Sequence, residues 1–216
     1  MATFSELYTE IEADLGVDNS DFQLRDLIKS KINLAIESYE SERFTFNEGP
    51  LTTFSTAIGD PDYTKAANWP RVQEFDQVQA LYSSRLYDLD EESYDWYVRA
   101  INDQTGITGP PKCYVVYGET LYIYPTPNLV TTITISGLHT LTPRPLSADS
   151  DTNAWLVGDA FQMIKARVKA DLFSHRLYNK ELLQLNAGIA NDFLENLRGD
   201  RDRLTMTDVQ KPATDF

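Results

Sequence analysis

The fold class is decided by the stretch ITGPPKCYVVYGETLYIYPTPNLVTTITISGLHTL, which runs from Ile107 to Leu141. Near its end, Ile133 and Ile135 alternate with hydroxyl side chains, and this period of two places apolar groups on one face of a sheet. The preceding runs 113–117 and 121–124 are rich in β-branched and aromatic residues and are separated by a short glycine-containing turn. We therefore predict three strands joined by short turns in an antiparallel meander.

Apolar and aromatic residues occur on both faces of this meander. Because alternate residues point to opposite sides of a strand, Tyr122 and Tyr124 lie opposite Leu121 and Ile123. One small core covers only one face, so the second face needs a cover of its own. Its tyrosines either lie under another layer of the same subunit or lie at a subunit interface, where Tyr is enriched. Tyr122 and Tyr124 are therefore candidate interface residues.

Helical patterns flank the β-rich stretch on both sides. Capping boxes at Thr3–Glu6 and Ser20–Gln23 open a short first helix and a longer second one. After the meander, residues 149–153 are predicted to start the longest helix. A last helix carries Leu182, Leu185 and further apolar residues on one stripe, and it is predicted to stop at Gly199. We expect these last two helices to form an antiparallel hairpin that closes on the second helix.

Further strands are predicted between the second helix and the meander. Phe44 and Phe46 alternate with a threonine, and residues 51–56 are rich in Thr and Phe, so both segments are interpreted as sheet edges. Two more strands are predicted at 75–81 and 85–89.

The remaining part of this region holds a loop and a helix. Residues 58–71 contain glycine and two prolines without a sustained period, which indicates an irregular contact loop, and Trp69 within it is a candidate interface residue. Residues 90–103 begin with acidic residues and carry apolar residues at i, i+3, i+4 and i+7, including Val98 and Ile101. They are predicted to form a helix laid against the sheet.

Together these patterns predict an α+β fold, in which a helical bundle of N-terminal helices and a C-terminal helical hairpin carries an inserted antiparallel β module. The bundle is assigned to residues 1–42 and 146–199, and the β-rich module with its one helix to residues 43–145. Residues 200–216 alternate charged and polar groups without a period, which predicts a tail that is disordered or ordered by a partner. Lys211 and Phe216 in this tail are further candidate interface residues.

The composition excludes several classes of protein. With 33 acidic and 19 basic residues the net charge is -14, which argues against wrapping nucleic acid or docking on anionic lipid. One cysteine forms no intrachain disulfide, and with only two histidines a Cys/His zinc site has almost no ligands. No signal peptide pattern and no run of about 20 apolar residues is present, so we expect an unsecreted protein without membrane spans.

Two acidic motifs invite a metal-binding interpretation. Residues 149–153 have the D-x-D-x-N opening of a calcium loop, but Ala154 stands where the loop needs glycine and Ala160 where it needs glutamate, so a helix N-cap is favoured. Asp60 and Asp62 fit a turn in an acidic protein as well as they fit a cation site. We predict no metal and no cofactor.

The carboxylates of residues 88–92 are the one feature that suggests catalysis. Paired carboxylates carry out acid and base chemistry, but at the head of a predicted helix they are explained by the helix dipole. The sequence has no nucleophile elbow, phosphate-binding glycine loop, dinucleotide fingerprint or zinc-protease motif. We therefore predict that the protein is not an enzyme and name no catalytic residue.

The order of several short motifs resembles the head-to-tail adaptor proteins, or connectors, of tailed bacteriophages. The matching elements cover most of residues 20–198: RFTFNE at 43–48, NWP at 68–70, the helix with Trp96, GPPKCY at 109–114, LYIYPTP at 121–127 and NAWL at 153–156. The order and spacing of the set carry the resemblance, since each motif alone recurs in unrelated sheets.

This resemblance implies a structural protein of the virion neck that is made in the host bacterial cytoplasm. Members of that family assemble as a ring, typically dodecameric, beneath the portal protein, and present a platform to the tail or nozzle protein. DNA passes through the ring channel without specific binding. Two alternatives remain open: another neck or tail-completion protein, and an acidic hydrolase that uses the carboxylates of residues 88–92.

Overall fold

The computed structural model of the protein describes residues 1–16, 21–103 and 106–209. It contains both helices and a curled β-sheet, which confirms the predicted α+β class. The chain divides into a helical unit, Met1–Asn47 with Leu141–Phe216, and a strand unit, Glu48–Thr140. In the described residues no helix is long and apolar enough to cross a bilayer.

The elements follow in chain order. Across the described residues the helices are α1 (Phe4–Asp14), α2 (Phe22–Tyr39), α3 (Lys65–Asn68), α4 (Tyr94–Asp103), α5 (Gly158–His175) and α6 (Lys180–Val209), with a 3-10 turn at Ala154–Leu156. The strands are β1 (Glu48–Ser55), β2 (Asp62–Thr64), β3 (Val72–Tyr82), β4 (Arg85–Glu91), β5 (Thr108–Gly109), β6 (Cys113–Tyr117), β7 (Thr120–Tyr124), β8 (Thr126–Pro127) and β9 (Thr132–His139).

The first two helices begin at polar caps. The predicted capping box of α1 is present, because Glu6 N donates to Thr3 Oγ1 at 3.2 Å and Thr3 N donates to Glu6 Oε2 at 2.7 Å. Helix α2 is capped by Asp21, whose Oδ1 accepts from Leu24 N at 3.0 Å. The cap was predicted one residue earlier, at Ser20, which lies outside the described residues.

Phe44 and Phe46 belong to a turn, so the predicted sheet edge there is wrong. Phe44 N donates to Asn47 Oδ1 at 2.7 Å, which closes the turn, and the Phe44 side chain is fully buried. Both phenylalanine rings lie against the Trp155 ring, with centroids 5.5 and 5.0 Å away. The alternation that resembled a strand therefore brings two rings onto one tryptophan in the core of the helical unit.

The C-terminal helices differ from prediction at both ends. Asn153 caps the 3-10 turn, with its Oδ1 accepting from Trp155 N at 3.1 Å, and α5 begins only at Gly158. Helix α6, not α5, is the longest, and it continues through Gly199 to Val209. Ion pairs at i, i+3 spacing on both sides of Gly199, Glu195 with Arg198 and Asp200 with Arg203, support the helix there. The predicted helix stop and the predicted tail over residues 200–209 are therefore wrong.

The strand order corrects the predicted meander. The sheet runs β1-β9-β3-β4-β6-β7-β2, so β6 and β7 form a hairpin, but β9 leaves it and pairs with β1 and β3 on either side. Strand β9 is an interior strand of the sheet, and its fully buried Ile133 and Ile135 lie opposite Ala80 and Val78 of β3. The local period predicts the strand correctly but contains no information about its partners.

The segments before the meander are more ordered than predicted. The strands predicted at 75–81 and 85–89 are present as β3 and β4, which pair as a hairpin. Its two turn residues, Ser83 and Ser84, have φ of 49° and 65°, as a tight two-residue hairpin turn requires. Residues 58–71, predicted as an irregular loop, contain β2 and α3. Helix α4 begins at Tyr94 rather than at residue 90, because Asp90 and Glu91 continue β4 and pair with β6.

Candidate interaction surfaces

One face of the β6–β7 hairpin is aromatic and lies under α4. The strand register pairs Cys113 with Tyr124 and Val115 with Tyr122, so both tyrosines point to this face. Ring centroids of α4 residues lie close to them: Tyr97 is 5.0 Å from Tyr122, and Trp96 is 5.5 Å from Tyr124 in an edge-to-face arrangement. Tyr122 and Tyr124 thus have ring partners in their own chain, and an additional contact with a neighbouring subunit stays a prediction.

The aromatic cluster is closed at its centre and open at one end. Tyr97 is buried, and burial, followed by the negative charge of Asp62, raises its pKa to about 12 from the ordinary value of about 10. Tyr117 is 59% exposed and its ring stacks on that of Tyr94 at 4.2 Å. Tyr117 is therefore the largely exposed ring of the cluster, while the rings of Tyr94, Tyr122 and Tyr124 are half-buried.

Helix α4 covers the sheet with less of its surface than predicted. Of its apolar residues only Tyr97 is buried, while Val98 and Ile101 are 41% and 36% exposed. The predicted stripe is thus divided between a side that contacts tyrosines and a side that faces solvent.

The other candidate interface residues lie elsewhere. Trp69 is 3% exposed, its Nε1 donates to Tyr63 O at 3.4 Å, and its ring packs on Phe75 at 5.0 Å. Phe75 in turn stacks on Tyr114, which alternation places on the opposite face of β6 from the α4 cluster. The structure therefore does not bring Trp69 together with Tyr122 and Tyr124. Lys211 and Phe216 lie outside the described residues.

Asp60 and Asp62 make the contacts of a turn. Asp62 N donates to Asp60 Oδ1 at 3.3 Å, and the Tyr63 hydroxyl donates to Asp60 O at 2.6 Å. Burial and the neighbouring Asp60 raise the pKa of the Asp62 carboxyl. Across residues 1–16, 21–103 and 106–209, no group of three or more His, Cys, Asp or Glu side chains is arranged to hold a metal ion.

The calcium-like motif at 149–153 has other partners for its oxygens. Asp149 Oδ1 accepts from Lys29 Nζ at 2.9 Å, and hydrogen bonds from Lys29 and Tyr8 lower the pKa of the Asp149 carboxyl. Asp151 Oδ2 accepts from two backbone N–H groups, those of Ser147 and Ala148, at 2.7 and 2.8 Å. These contacts fit a turn and cap rather than a cation site.

The carboxylates of residues 88–92 do not stand at the head of a helix, which corrects their predicted explanation. Asp88 lies in β4, and its Oδ1 accepts from the side-chain amides of Gln77 and Gln79 at 2.9 and 2.7 Å. Because strand residues alternate, Asp88 and Asp90 share one face and Glu91 points to the other. The structure gives the Asp88 carboxylate a role in cross-strand hydrogen bonding.

Helix α6 has an exposed apolar surface that its sequence pattern does not predict. Leu182 and Leu185 were assigned to the core stripe, yet they are 37% and 58% exposed. The buried positions of α6 follow a different line, through Asn186, Ala190 and Leu194. The turn before α6 adds Leu177 and Tyr178, which are 46% and 82% exposed. The two lines are neighbours on the helix, so periodicity alone does not separate them.

Comparison with known proteins gives one family model that matches nearly the whole chain. The family model described as SU10 adaptor protein matches residues 2–212, a range that includes both the helical and the strand unit. A comparison with curated proteins finds no match.

Proposed function

Because the chain belongs to the SU10 adaptor protein family, a family of phage adaptor proteins, we propose that it acts as a head-to-tail adaptor. In this role it is a structural protein of the virion neck that forms a ring between the portal protein and the tail. The observation that carries the proposal is the family match over residues 2–212, which confirms the resemblance inferred from the sequence.

The proposed assembly is a dodecameric ring that extends the DNA channel. In each subunit the helical unit is proposed to form the structural framework, as a helical bundle in which a C-terminal hairpin of α5 and α6 packs on the N-terminal helices. The portal protein binds one side of the ring and the tail or nozzle protein the other. The contact surfaces proposed on each subunit include the aromatic cluster with Tyr122 and Tyr124, and the C-terminal residues with Lys211 and Phe216.

The charge of the chain supports passage of DNA without binding. Each subunit carries a net charge of -14, so a ring of identical subunits produces a negative field that repels phosphates. The expected result is that assembled rings retain no double-stranded DNA even at low salt, measured by gel shift. A channel wall lined with basic residues, or retention that weakens steeply with salt, contradicts this proposal.

The proposed function is tested by mixing the purified chain with purified portal rings and imaging the products by electron microscopy. A defined co-complex with the chain as a collar below the portal is the expected result. If the chain does not bind portal rings but binds isolated tails, it is instead a neck or tail-completion protein that binds lower down.

The role of the C-terminal residues is tested in the same assay. Deleting residues 210–216 removes Lys211 and Phe216 and leaves α6 complete, since α6 ends at Val209. We expect this variant to fold normally, measured by circular dichroism, and to lose portal docking. The matched control is removal of Met1 alone, an 84% exposed residue at the other terminus. Undiminished docking of the shortened chain contradicts the proposed contact.

A further inference from the structure

The first half of α6 presents an apolar surface that its own unit does not cover. Leu182 and Leu185 are 37% and 58% exposed. At 100° per residue, Leu185 lies about 140° around the helix from the buried Ala190, so it points away from the side that packs within the helical unit. Together with the exposed Leu177 and Tyr178 just before the helix, it forms a patch of the kind that marks a protein contact. We call this set of four residues the α6 patch.

The same unit contains a small groove between α2 and α5, with both charged and apolar lining residues. Its volume is about 100 Å³. It is lined by Lys31, Leu34, Ala35, Ser38, Arg167, Val168 and Asp171. Leu34 is 51% exposed, whereas the lining residues Ala35 and Val168 are buried, so Leu34 supplies most of the apolar surface that the groove presents to solvent. The groove is smaller than the cavity of about 150 Å³ that holds a benzene molecule, so it accepts one side chain at most.

The charges beside the two surfaces are complementary. Glu181 and Asp192 are exposed and lie within about 40° of Leu185 around the helix, so the α6 patch has an acidic margin at Leu185. At the groove, Lys31 and Asp171 pair with each other at 2.6 Å, and the exposed Arg167 leaves the rim positive. Complementary charges of this kind fix the orientation of an interface.

We propose that in the ring the α6 patch of one subunit lies in the α2–α5 groove of the next, with Leu185 beside Leu34 and the acidic margin facing Arg167. This is recognition of an amphipathic helix by a groove. The two surfaces are different parts of one chain, so the contact is head-to-tail and closes a ring when the rotation between subunits allows it. The inference rests on the proposed function, because it assumes a ring of identical subunits.

The contact is tested by disulfide cross-linking between two variants, Leu34→Cys and Leu185→Cys. Both positions are exposed, so the substitutions leave the core intact, and the native Cys113 is only 6% exposed. The two variants are mixed, assembled on portal rings and oxidised. We expect covalent dimers in the mixture and none with either variant alone. The matched control mixes Leu34→Cys with Leu86→Cys, which lies in the strand unit and is 60% exposed, and should give none.

A second pair of variants measures the importance of the contact. Leu185→Glu places an unpaired charge in the proposed interface and should raise the chain concentration needed for assembly at least about tenfold. Leu86→Glu makes the same change on an equally exposed leucine outside the interface and should leave that concentration unchanged.

The outcomes separate this inference from the function on which it rests. A collar on the portal together with the cross-link supports both. A collar without the cross-link, or with Leu185→Glu assembling normally, overturns the proposed contact and leaves the adaptor function standing. If no collar forms but the cross-link appears in a concentrated solution of the chain without portal rings, the contact is supported and the adaptor function is overturned. Absence of both overturns both.

Discussion

Replacing glycine with alanine should destabilise the protein at Gly137 and stabilise it at Gly188. Gly137 lies in β9 with φ of +156°, and a Cβ added there would stand 2.0 Å from Glu74 O and 3.1 Å from Asp76 N. Both atoms belong to the backbone of the paired strand β3, so they do not rotate away. Gly188 lies inside α6, and a Cβ added there meets nothing within 4 Å.

The magnitudes follow from these two environments. At Gly137, overpacking costs about 1–3 kcal/mol, and the strained φ of a residue with a side chain adds a similar amount, so Gly137→Ala should lower the free energy of unfolding by about 2–6 kcal/mol. At Gly188, alanine loses less backbone entropy than glycine and should raise the free energy of unfolding by about 0.5–1 kcal/mol. In a chain of this size, 1 kcal/mol corresponds to about 2–4 °C in Tm.

Differential scanning calorimetry of the two variants and the wild type is the assay. Gly137→Ala should melt at least about 4 °C below the wild type, and Gly188→Ala at or slightly above it. A Gly137→Ala protein that melts with the wild type would show that β3 and β9 separate easily at this point, which refutes the steric argument. If both variants lose stability equally, the effect does not come from the close approach of the two strands.

Three further predictions concern single side chains. Thr3→Ala removes the cap of α1 and should cost about 1 kcal/mol in urea unfolding, whereas Thr9→Ala, exposed on the same helix, should cost nothing. Burial raises the pKa of the Glu40 carboxyl despite its contact with Arg144 at 2.6 Å, so the folded state holds that proton more tightly than the unfolded state. The free energy of unfolding of the wild type, minus that of Glu40→Gln, should therefore fall as pH rises from the unfolded pKa of about 4.3 through the raised folded pKa. A difference that stays constant or increases over this pH range contradicts the prediction. Burial also raises the pKa of the Cys113 thiol to about 11, so at pH 8 a thiol reagent should react with the native chain far more slowly than with the chain in urea, and equal rates would exclude this burial.

The sequence predicts those parts of the fold that depend on neighbours in the chain. The cap at Thr3, the alternation at Ile133 and Ile135 and the strands predicted at 75–81 and 85–89 all depend on residues within a few positions of each other, and the structure has the expected element in each place. Partner strands depend on distant segments. The antiparallel meander was therefore wrong, although each of its strands exists.

The errors in the helical unit have a similar cause. Phe44 and Phe46 alternate as strand residues do, but their common contact is Trp155, more than a hundred positions later. Gly199 is a poor helix former, but one glycine costs only about 1 kcal/mol and the flanking ion pairs and packing of a 30-residue helix offset it. Local propensity predicts where a helix is weak, and tertiary contacts decide whether it ends there.

The candidate surfaces were predictable only in part. Alternation correctly places Tyr122 and Tyr124 on the face opposite Leu121 and Ile123. It does not predict that rings of α4 cover this face, because that depends on where the helix docks. On α6, apolar residues span a wide arc of the helix, and only packing distinguishes the buried Leu194 from the exposed leucines near the start of α6.

The pairing of β1 with β9 has a consequence for how this chain can be rearranged. Glu48 stands opposite Leu138, so the first and the last strand of the strand unit run side by side. Paired residues in an antiparallel ladder have Cα atoms about 4.5–5.5 Å apart. The first and the last residues of the strand unit therefore lie close together in space. We therefore expect a linker of a few residues from Asn47 to Leu141 to span that gap in a chain from which the strand unit is deleted.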